Sequence, residues 1–268
     1  MKTLMVASIQ INSSNILDDN LSKISLLIKK AVNFGAELIV LPEYALNIES
    51  DNKELVIQNA EELGYGAKQD YFAKMARENN VYLVAGTIPI RTKIIDKVYN
   101  SCLVFDNSGN IISYYHKIHL FKYLDMNEYN ESKLYLAGAN VATFNIGKFS
   151  FGLAICYDLR FPELFRAYTG VDGIIVPAAF TYETGIAHWE ILLRARAIEN
   201  QCYLISSAQT GLNQNNRQTY GHSMMIDPWG KIKSIIKTKE GVIINKLEKN
   251  KIANIRKVLP AISNILLN

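Results

Sequence analysis

Residues 151–168 are the stretch that most constrains what this chain can fold into. An apolar run from Phe151 ends at Cys156, a polar turn follows, and Pro162 opens an amphipathic segment. An apolar run, an abrupt turn and a proline near a helix start are typical of a strand, an elbow and a helix. The pattern predicts that Cys156 lies at the C-terminal edge of a sheet, close to a helix N-terminus.

This predicted position suits a reactive thiol. Partial positive charge and free backbone N–H groups at a helix N-terminus stabilise a thiolate. The alternative is that Cys156 is one more buried strand cysteine, because free cysteine is among the most buried residue types. The stretch alone leaves both interpretations open.

Length and charge narrow the class of protein. With 268 residues, 49% of them hydrophobic, the chain can bury a sizeable core. Its net charge of +4 comes from scattered Lys and Arg, which indicates a solvated surface and no nucleic-acid partner. No apolar run approaches the roughly 18 residues that cross a bilayer, so we expect no membrane association.

The cysteines and histidines argue against metal or disulfide chemistry. Cys102, Cys156 and Cys202 lie far apart, are odd in number and include no C-x-x-C pair. His116 and His119 are close in sequence, but two histidines without further ligands are weak evidence for a metal. We therefore expect neither a disulfide framework nor a zinc site, and, with no membrane-spanning run, a reducing, cytoplasmic setting.

Hydrophobic periodicity predicts strands alternating with helices along the chain. Strands are predicted at 4–10, 37–42, 81–88, 100–106, 111–116, 141–146, 149–156, 173–178, 202–208, 221–227 and onward through Leu247. Helices are predicted at 21–34, 67–79 and about 188–200, with another after Cys156, and residues 248–258 form a last amphipathic segment. Residues 12–20 and 118–140 are predicted loops. No repeat or linker interrupts this pattern, so residues 1–268 are predicted to form one domain with a mixed sheet, covering helices and a second sheet.

Three residues that can do chemistry each follow a predicted strand: Glu43, Lys117 and Cys156. The crevice outside the carboxyl ends of strands is the usual ligand site in α/β sheets. If the three meet there, Glu43 can deprotonate the thiol and later activate water, while Lys117 and the Tyr157 N–H stabilise an oxyanion. Such a set suits attack on an amide or nitrile carbon, loss of ammonia and hydrolysis of a thioester.

Each member of this set has an ordinary structural alternative. Glu43 after a proline can be an exposed loop carboxylate, and Lys117 can be a surface lysine that ends a hairpin. Cys102 and Cys202 sit inside apolar strands and are expected to be inert core thiols. Because the three residues are far apart in sequence, coincidence also stays open at this point.

Three longer blocks carry a resemblance that covers essentially the whole chain. They are Leu38-Ile-Val-Leu-Pro-Glu43, Tyr115-His-Lys-Ile-His-Leu120 and Gly152-Leu-Ala-Ile-Cys-Tyr-Asp-Leu-Arg-Phe-Pro-Glu163. In this order they resemble the nitrilase superfamily of carbon–nitrogen hydrolases. The resemblance implies a single-domain α-β-β-α sandwich, whose subunits pair into a longer α-β-β-α-α-β-β-α assembly, and no cofactor or metal.

The same resemblance assigns roles to residues. It implies a catalytic set of Glu43, Lys117 and Cys156, in agreement with the roles argued from their positions. It also implies a second catalytic glutamate from the long loop. Glu131 resembles that position, and Glu128 is a nearby competitor.

Downstream blocks narrow the resemblance to one branch. Residues 187–202 and 220–230 are similar to deaminated glutathione amidases and omega-amidases. Ser207-Ala-Gln-Thr-Gly211 with Arg217 favours the former, because the chain lacks the Pro-Ala-Arg-type loop expected of omega-amidases. The implied activity is hydrolysis of the terminal amide of a small carboxylate-bearing molecule, first deaminated glutathione, with α-ketoglutaramate as the alternative. A catalytically silent binding or regulatory protein is the third possibility.

Two further expectations concern contacts. Arg160 is a candidate partner for a substrate carboxylate, and its structural alternative is an ion pair with Asp158 or Glu163. The resemblance also implies a homodimer or higher homo-oligomer. The apolar tail 258–267 fits a segment that packs on a partner, and equally one that covers its own core.

Overall fold

The computed structural model describes residues 2–47, 52–124, 129–213 and 216–266, along which strands and helices alternate. Its strands are β1 (Thr3–Gln10), β2 (Leu38–Val40), β3 (Tyr82–Val84), β4 (Ile88–Arg91), β5 (Val98–Phe105), β6 (Ile111–His116), β7 (Lys122–Tyr123), β8 (Tyr129–Asn130), β9 (Thr143–Ile146), β10 (Phe149–Leu153), β11 (Gly173–Ala178), β12 (Tyr203–Ala208), β13 (Thr210–Leu212), β14 (Gln218–Tyr220), β15 (Ser223–Ile226), β16 (Ile232–Ile236) and β17 (Gly241–Glu248). Its helices are α1 (Leu17–Asn33), α2 (Lys53–Gln58), α3 (Ala67–Asn79), α4 (Pro162–Ala167), α5 (Tyr182–Thr184), α6 (Glu190–Asn200) and α7 (Lys249–Val258). Shorter turns are 3-10 helices at Glu131–Lys133, Cys156–Arg160 and Ile262–Asn264, and a π-helix at Gly185–Trp189.

Two mixed sheets form the centre of the molecule. The first has the order β17-β1-β2-β3-β5-β4, with β6 also paired to β5, and the second has the order β16-β15-β12-β11-β10-β9. Parallel pairing joins β1, β2 and β3 in the first sheet, and β10, β11 and β12 in the second. Because parallel strands end at one edge, each sheet presents a set of strand termini on which side chains can converge.

Side chains alternate between the two faces of each strand, and this alternation separates the layers of the fold. On β1, Leu4 and Val6 pack in the core between the sheets, which also contains Phe151 of the second sheet. Successive side chains of a strand point to opposite faces, so Ala7 and Ile9 face the other way and pack with Ile28 of α1 in a separate core. Helix α6 covers the second sheet through contacts with β12 and β15. The result is the α-β-β-α sandwich that the resemblance implied.

The structure departs from the periodicity-based prediction at the strand expected over 81–88. The chain instead forms β3 and β4, separated by Gly86 with a φ of +65°. A Cβ at Gly86 would lie 1.9 Å from the carbonyl oxygen of Pro42. Glycine is therefore required for this link to pass against the segment that precedes Glu43.

Several other elements begin or end at residues that differ from those predicted, or were not predicted at all. Helix α1 begins at Leu17, inside the predicted loop, because Asp18 and Asp19 suit the first turn of a helix without adding apolar periodicity. Helix α2 was missed, and the predicted loop 118–140 contains the short pair β7 and β8. Helix α3 and strand β11 have the predicted bounds. None of the helices in the described residues is long and apolar enough to cross a membrane.

Candidate active site

Cys156 lies at a sharp elbow between the second sheet and helix α4. Strand β10 ends at Leu153, earlier than predicted, and Cys156 opens a 3-10 turn with a φ of +47°. A non-glycine residue in this left-handed region costs on the order of 1–3 kcal/mol and persists where surrounding contacts hold it. Helix α4 begins only at Pro162, which occupies its first position. The thiol is thus presented by the turn and not by the helix N-terminus.

The expected stabilisation of a Cys156 thiolate is not what the structure shows. Burial raises the pKa of the Cys156 thiol well above its usual value, and the Glu43 carboxylate raises it further. The Lys117 ammonium and the Ala179 N–H lower this pKa, but by less than burial and Glu43 raise it. The resting sulfur is therefore a protonated thiol, and a nucleophilic role requires a base beside it.

Glu43 is a buried carboxylate and not the exposed loop group of the structural alternative. It follows β2 by three residues, and 1% of it is exposed. Its Oε1 accepts hydrogen bonds from Lys117 Nζ and from Asn100 Nδ2, each at 2.9 Å. Its Oε2 accepts the Ala179 N–H at 2.9 Å. These three donors hold the carboxylate in one orientation.

Lys117 is likewise buried, so the surface-lysine alternative is wrong. Its ammonium donates to Glu43 Oε1 and to Glu131 Oε1, each at 2.9 Å. Burial lowers the pKa of Lys117, but the charges of Glu131 and Glu43 outweigh burial and raise the pKa well above its usual value. The site therefore contains a permanent cation.

Glu131 completes a buried triplet with Lys117 and Glu43. It opens the 3-10 turn Glu131–Lys133, and its Oε1 also accepts the Tyr44 hydroxyl at 3.0 Å. Its Oε2 accepts the Phe121 N–H at 2.7 Å. Burial raises the pKa of Glu131 and Glu43 adds to this, while Lys117 lowers it. The competitor Glu128 lies outside the described residues.

Cys156 belongs to the same cluster. The charges of Glu43, Lys117 and Glu131 all act on its pKa, and the Ala179 N–H contacts both the sulfur and the Glu43 carboxylate. The structure therefore brings together the four residues that the sequence singled out. Together they provide a thiol, a carboxylate beside it and a cation, which is a set capable of acyl transfer.

The sequence-based prediction missed several polar groups of the site. Asn100 bonds both Glu43 and the Tyr44 hydroxyl, the latter at 3.2 Å. Asn100 lies in the otherwise largely apolar β5, and a buried amide in such a strand is a signal that could have been used. The N–H groups of Ala179 and Phe121 leave no trace in side-chain patterns and could be found only from the structure.

Arg160 does not form the ion pair expected of the structural alternative. Its Nη1 contacts His188 Nδ1 at 3.2 Å, and its guanidinium lies 5.2 Å from the centre of the Phe180 ring. Asp158 instead accepts hydrogen bonds from the Tyr115 hydroxyl and the His119 N–H. Within the described ranges neither Asp158 nor Glu163 pairs with Arg160, so its positive charge has an aromatic neighbour and no carboxylate.

The other two thiols are buried, and the histidines on either side of Lys117 bond residues outside this cluster. His116 bonds Ser101 at 2.7 Å, and burial lowers its pKa to about 4. His119 bonds Asp158 instead. Cys102 and Cys202 are fully buried, and burial raises the pKa of Cys202 to about 12. No group of three or more metal-binding side chains occurs in the part of the chain that the structure describes.

Comparison with known proteins identifies the family. The carbon-nitrogen hydrolase family model matches residues 5–257. The chain belongs to this family. It is 37% identical to the deaminated glutathione amidase of Synechocystis sp., with 98% of each chain covered. It is 33% identical to the omega-amidase of Homo sapiens, with 97% of this chain and 94% of that one covered.

Solved structures agree with this carbon–nitrogen hydrolase assignment. Saccharomyces cerevisiae Nit3, a member of branch 10 of the nitrilase superfamily, matches with a TM-score of 0.88 and 30% identity, covering 97% of this chain and 95% of that one. The Caenorhabditis elegans NitFhit protein matches with a TM-score of 0.89 and 32% identity, covering 99% of this chain and 66% of the longer one. The carbon–nitrogen hydrolase described here thus has the nitrilase fold, and it is an amidase.

Proposed function

We propose that this amidase cleaves the terminal amide of a small carboxylate-bearing substrate through a thioester on Cys156, with release of ammonia. The observation that carries the proposal is the buried ammonium of Lys117 held between Glu43 and Glu131 beside a protonated thiol. Burying a cation and two carboxylates is costly for stability. Catalysis is a reason to retain such a cluster.

Acylation begins with transfer of the thiol proton to the Glu43 carboxylate. The Cys156 sulfur then bonds to the amide carbon, and the carbonyl oxygen becomes an oxyanion beside Lys117 and the Tyr157 N–H. The proton on Glu43 passes to the leaving nitrogen as the C–N bond breaks. Ammonia leaves, and the acyl group remains on sulfur as a thioester.

Hydrolysis of the thioester reuses the same groups. Glu43 takes a proton from water, the resulting hydroxide attacks the thioester carbon, and the second oxyanion forms beside Lys117. The C–S bond breaks, a carboxylic acid is released, and Cys156 recovers its proton. In this scheme Glu131 is the second catalytic glutamate, which orients the Lys117 ammonium.

We propose deaminated glutathione as the substrate. The name of the Synechocystis relative supports this choice, and a relative from Yersinia enterocolitica with the same name is 38% identical. The Arg160 guanidinium, unpaired with any carboxylate of the described chain, fits a substrate carboxylate. α-Ketoglutaramate is the alternative, since the omega-amidases are also related at 33% identity.

An ammonia-release assay tests this proposal. Deaminated glutathione, α-ketoglutaramate, a simple nitrile and free glutamine are compared, with Cys156→Ala as the control. We expect the highest kcat/KM for deaminated glutathione and no turnover by Cys156→Ala. Full turnover by Cys156→Ala would refute the mechanism. Turnover of none of the four would favour a silent binding protein on this fold.

We also propose that residues 1–268 form one hydrolase domain that assembles as a cytoplasmic homodimer. Ile191 and Ile198 of α6 and the nearby Trp229 are 70%, 49% and 60% exposed. Residues seven apart lie on one helix face, so the two isoleucines form an apolar stripe of the kind that a second copy covers. Val258 and Leu266 of the C-terminal tail are also exposed, at 80% and 94%. Three free cysteines suit a reducing compartment.

A further inference from the structure

Asp158 is a fully buried carboxylate two residues after Cys156, and it accepts four hydrogen bonds. Its Oδ2 accepts the Ile155 N–H at 2.8 Å and the Tyr115 hydroxyl at 2.9 Å. Its Oδ1 accepts the His119 N–H at 3.0 Å and contacts His119 Nδ1 at 2.7 Å. A buried carboxylate with this many donors is held in one place.

The four donors come from two distant segments. Ile155 precedes Cys156 in the elbow of the second sheet, whereas Tyr115 and His119 lie on either side of Lys117 at the end of β6 in the first sheet. Asp158 therefore links the segment that carries the thiol to the segment that carries the ammonium. Among the described side chains it is the carboxylate that bonds both segments.

Two further contacts stiffen this link. The Ile118 N–H donates to the Tyr115 hydroxyl at 3.3 Å, so the same hydroxyl also fixes the residue that follows Lys117. The imidazole of His119 stacks on the Phe161 ring at 3.7 Å, with the planes 6° apart. Phe161 immediately precedes helix α4, so His119 contacts the elbow through both its ring face and its nitrogen.

We propose that Asp158 and His119 are positioning residues that set the distance between the Cys156 sulfur and the Lys117 ammonium. The proposal rests on the catalytic roles given above. The elbow holds Cys156 at a positive φ, which it can leave for a relaxed conformation unless neighbours prevent this. A displacement of about 1 Å between reacting groups can cost about a hundredfold in rate.

His119 is the better position to test, because about a quarter of its side chain is exposed and its replacement does not bury a new polar group. His119→Ala removes the side-chain donor and the stacking. His119→Asn can place an amide N–H near the position of Nδ1. His116→Ala is the matched control, since His116 also adjoins Lys117 but bonds Ser101 and not the elbow.

We expect His119→Ala to lower kcat by roughly 10- to 100-fold with KM within about twofold of wild type, as a loss of alignment predicts. His119→Asn should recover most of the lost kcat, and His116→Ala should keep wild-type kcat. The melting temperature of every variant is measured in parallel. The kinetic assays are then run at a temperature at which every variant is folded. Unchanged kcat in folded His119→Ala, or a rise in KM alone, would overturn the proposal.

A second readout separates this proposal from the proposed function. The rate of Cys156 alkylation by iodoacetamide depends on the surroundings of the thiol and needs no amide substrate. We expect this rate to change in His119→Ala, to return towards wild type in His119→Asn and to stay unchanged in His116→Ala. If wild type hydrolysed no amide, the proposed function would fail while the alkylation series still decided whether the link positions the thiol. Equal alkylation rates in all variants would refute the proposal that Asp158 and His119 position the thiol.

Discussion

The Lys117 ammonium donates a hydrogen bond to Glu43 Oε1 across 2.9 Å, although 74 residues separate the two in the chain. The same ammonium donates to Glu131 at an equal distance. One buried cation thus serves two buried carboxylates and has the Cys156 thiol as a neighbour. This arrangement places a carboxylate beside the thiol, and it generates predictions that can be measured separately.

Glu43→Gln is predicted to separate turnover from thiol acidity. Loss of the general base should lower kcat by about 10²- to 10⁴-fold. The Glu43 charge raises the pKa of Cys156, so its removal should lower that pKa while the Lys117 cation remains. The pH dependence of Cys156 alkylation by iodoacetamide measures this shift. An alkylation profile that is unmoved, or displaced to higher pH, would contradict the arrangement.

Glu131→Gln is predicted to change how stability depends on pH. Because the pKa of Glu131 is raised in the folded state, this residue favours folding most below its unfolded pKa of about 4.5, and the contribution is lost as pH rises through the folded pKa. The free energy of unfolding of wild type minus that of the variant should therefore fall as pH increases. Urea titrations across this range, with the exposed Glu54→Gln as control, give the difference. A difference that rises with pH would have the wrong sign.

Tyr135→Phe is predicted to stabilise the protein. Tyr135 is 2% exposed, and its hydroxyl is buried without a hydrogen-bond partner among the residues that the structure describes. Leaving a buried donor unsatisfied costs about 1–3 kcal/mol, so removal of the oxygen should raise the free energy of unfolding by roughly 1 kcal/mol. Chemical denaturation provides the measurement.

A matched variant tests the sign of this effect. The Tyr168 hydroxyl donates to the Leu153 carbonyl oxygen at 2.5 Å and accepts the Ala142 N–H at 3.2 Å. Tyr168→Phe should therefore lower the free energy of unfolding by about 1–3 kcal/mol, opposite in sign to Tyr135→Phe. A loss of stability in both variants would show that the Tyr135 hydroxyl is bonded in solution.

Ile191→Glu is predicted to dissociate the proposed homodimer. A charge in the centre of an apolar interface is left unpaired on association, which disfavours the dimer. Sedimentation equilibrium should give a dimer for wild type and a monomer for the variant. Leu26→Glu, on the exposed face of α1, is the control and should stay dimeric. A monomeric wild type, or an Ile191→Glu variant as dimeric as wild type, would refute this interface.

Sequence reasoning was most successful where the signal is local. Helix α3 and strand β11 have their predicted bounds because apolar periodicity reports directly which face of an element is buried. Sequence reasoning failed at Gly86, because the close approach of this residue to Pro42 interrupts the apolar run that predicts one strand over 81–88. It also failed for the thiol, because the burial that raises the pKa of Cys156 comes from residues distant in the chain.

By itself, then, the sequence determined that Glu43, Lys117 and Cys156 each follow a strand and occur in the order of a carbon–nitrogen hydrolase. Both facts are properties of short segments. Only the tertiary structure decided that Lys117 lies between two carboxylates, that the thiol is protonated and that Asp158 joins the two segments. Charge interactions depend on distance and burial, and these are set when the two sheets pack together.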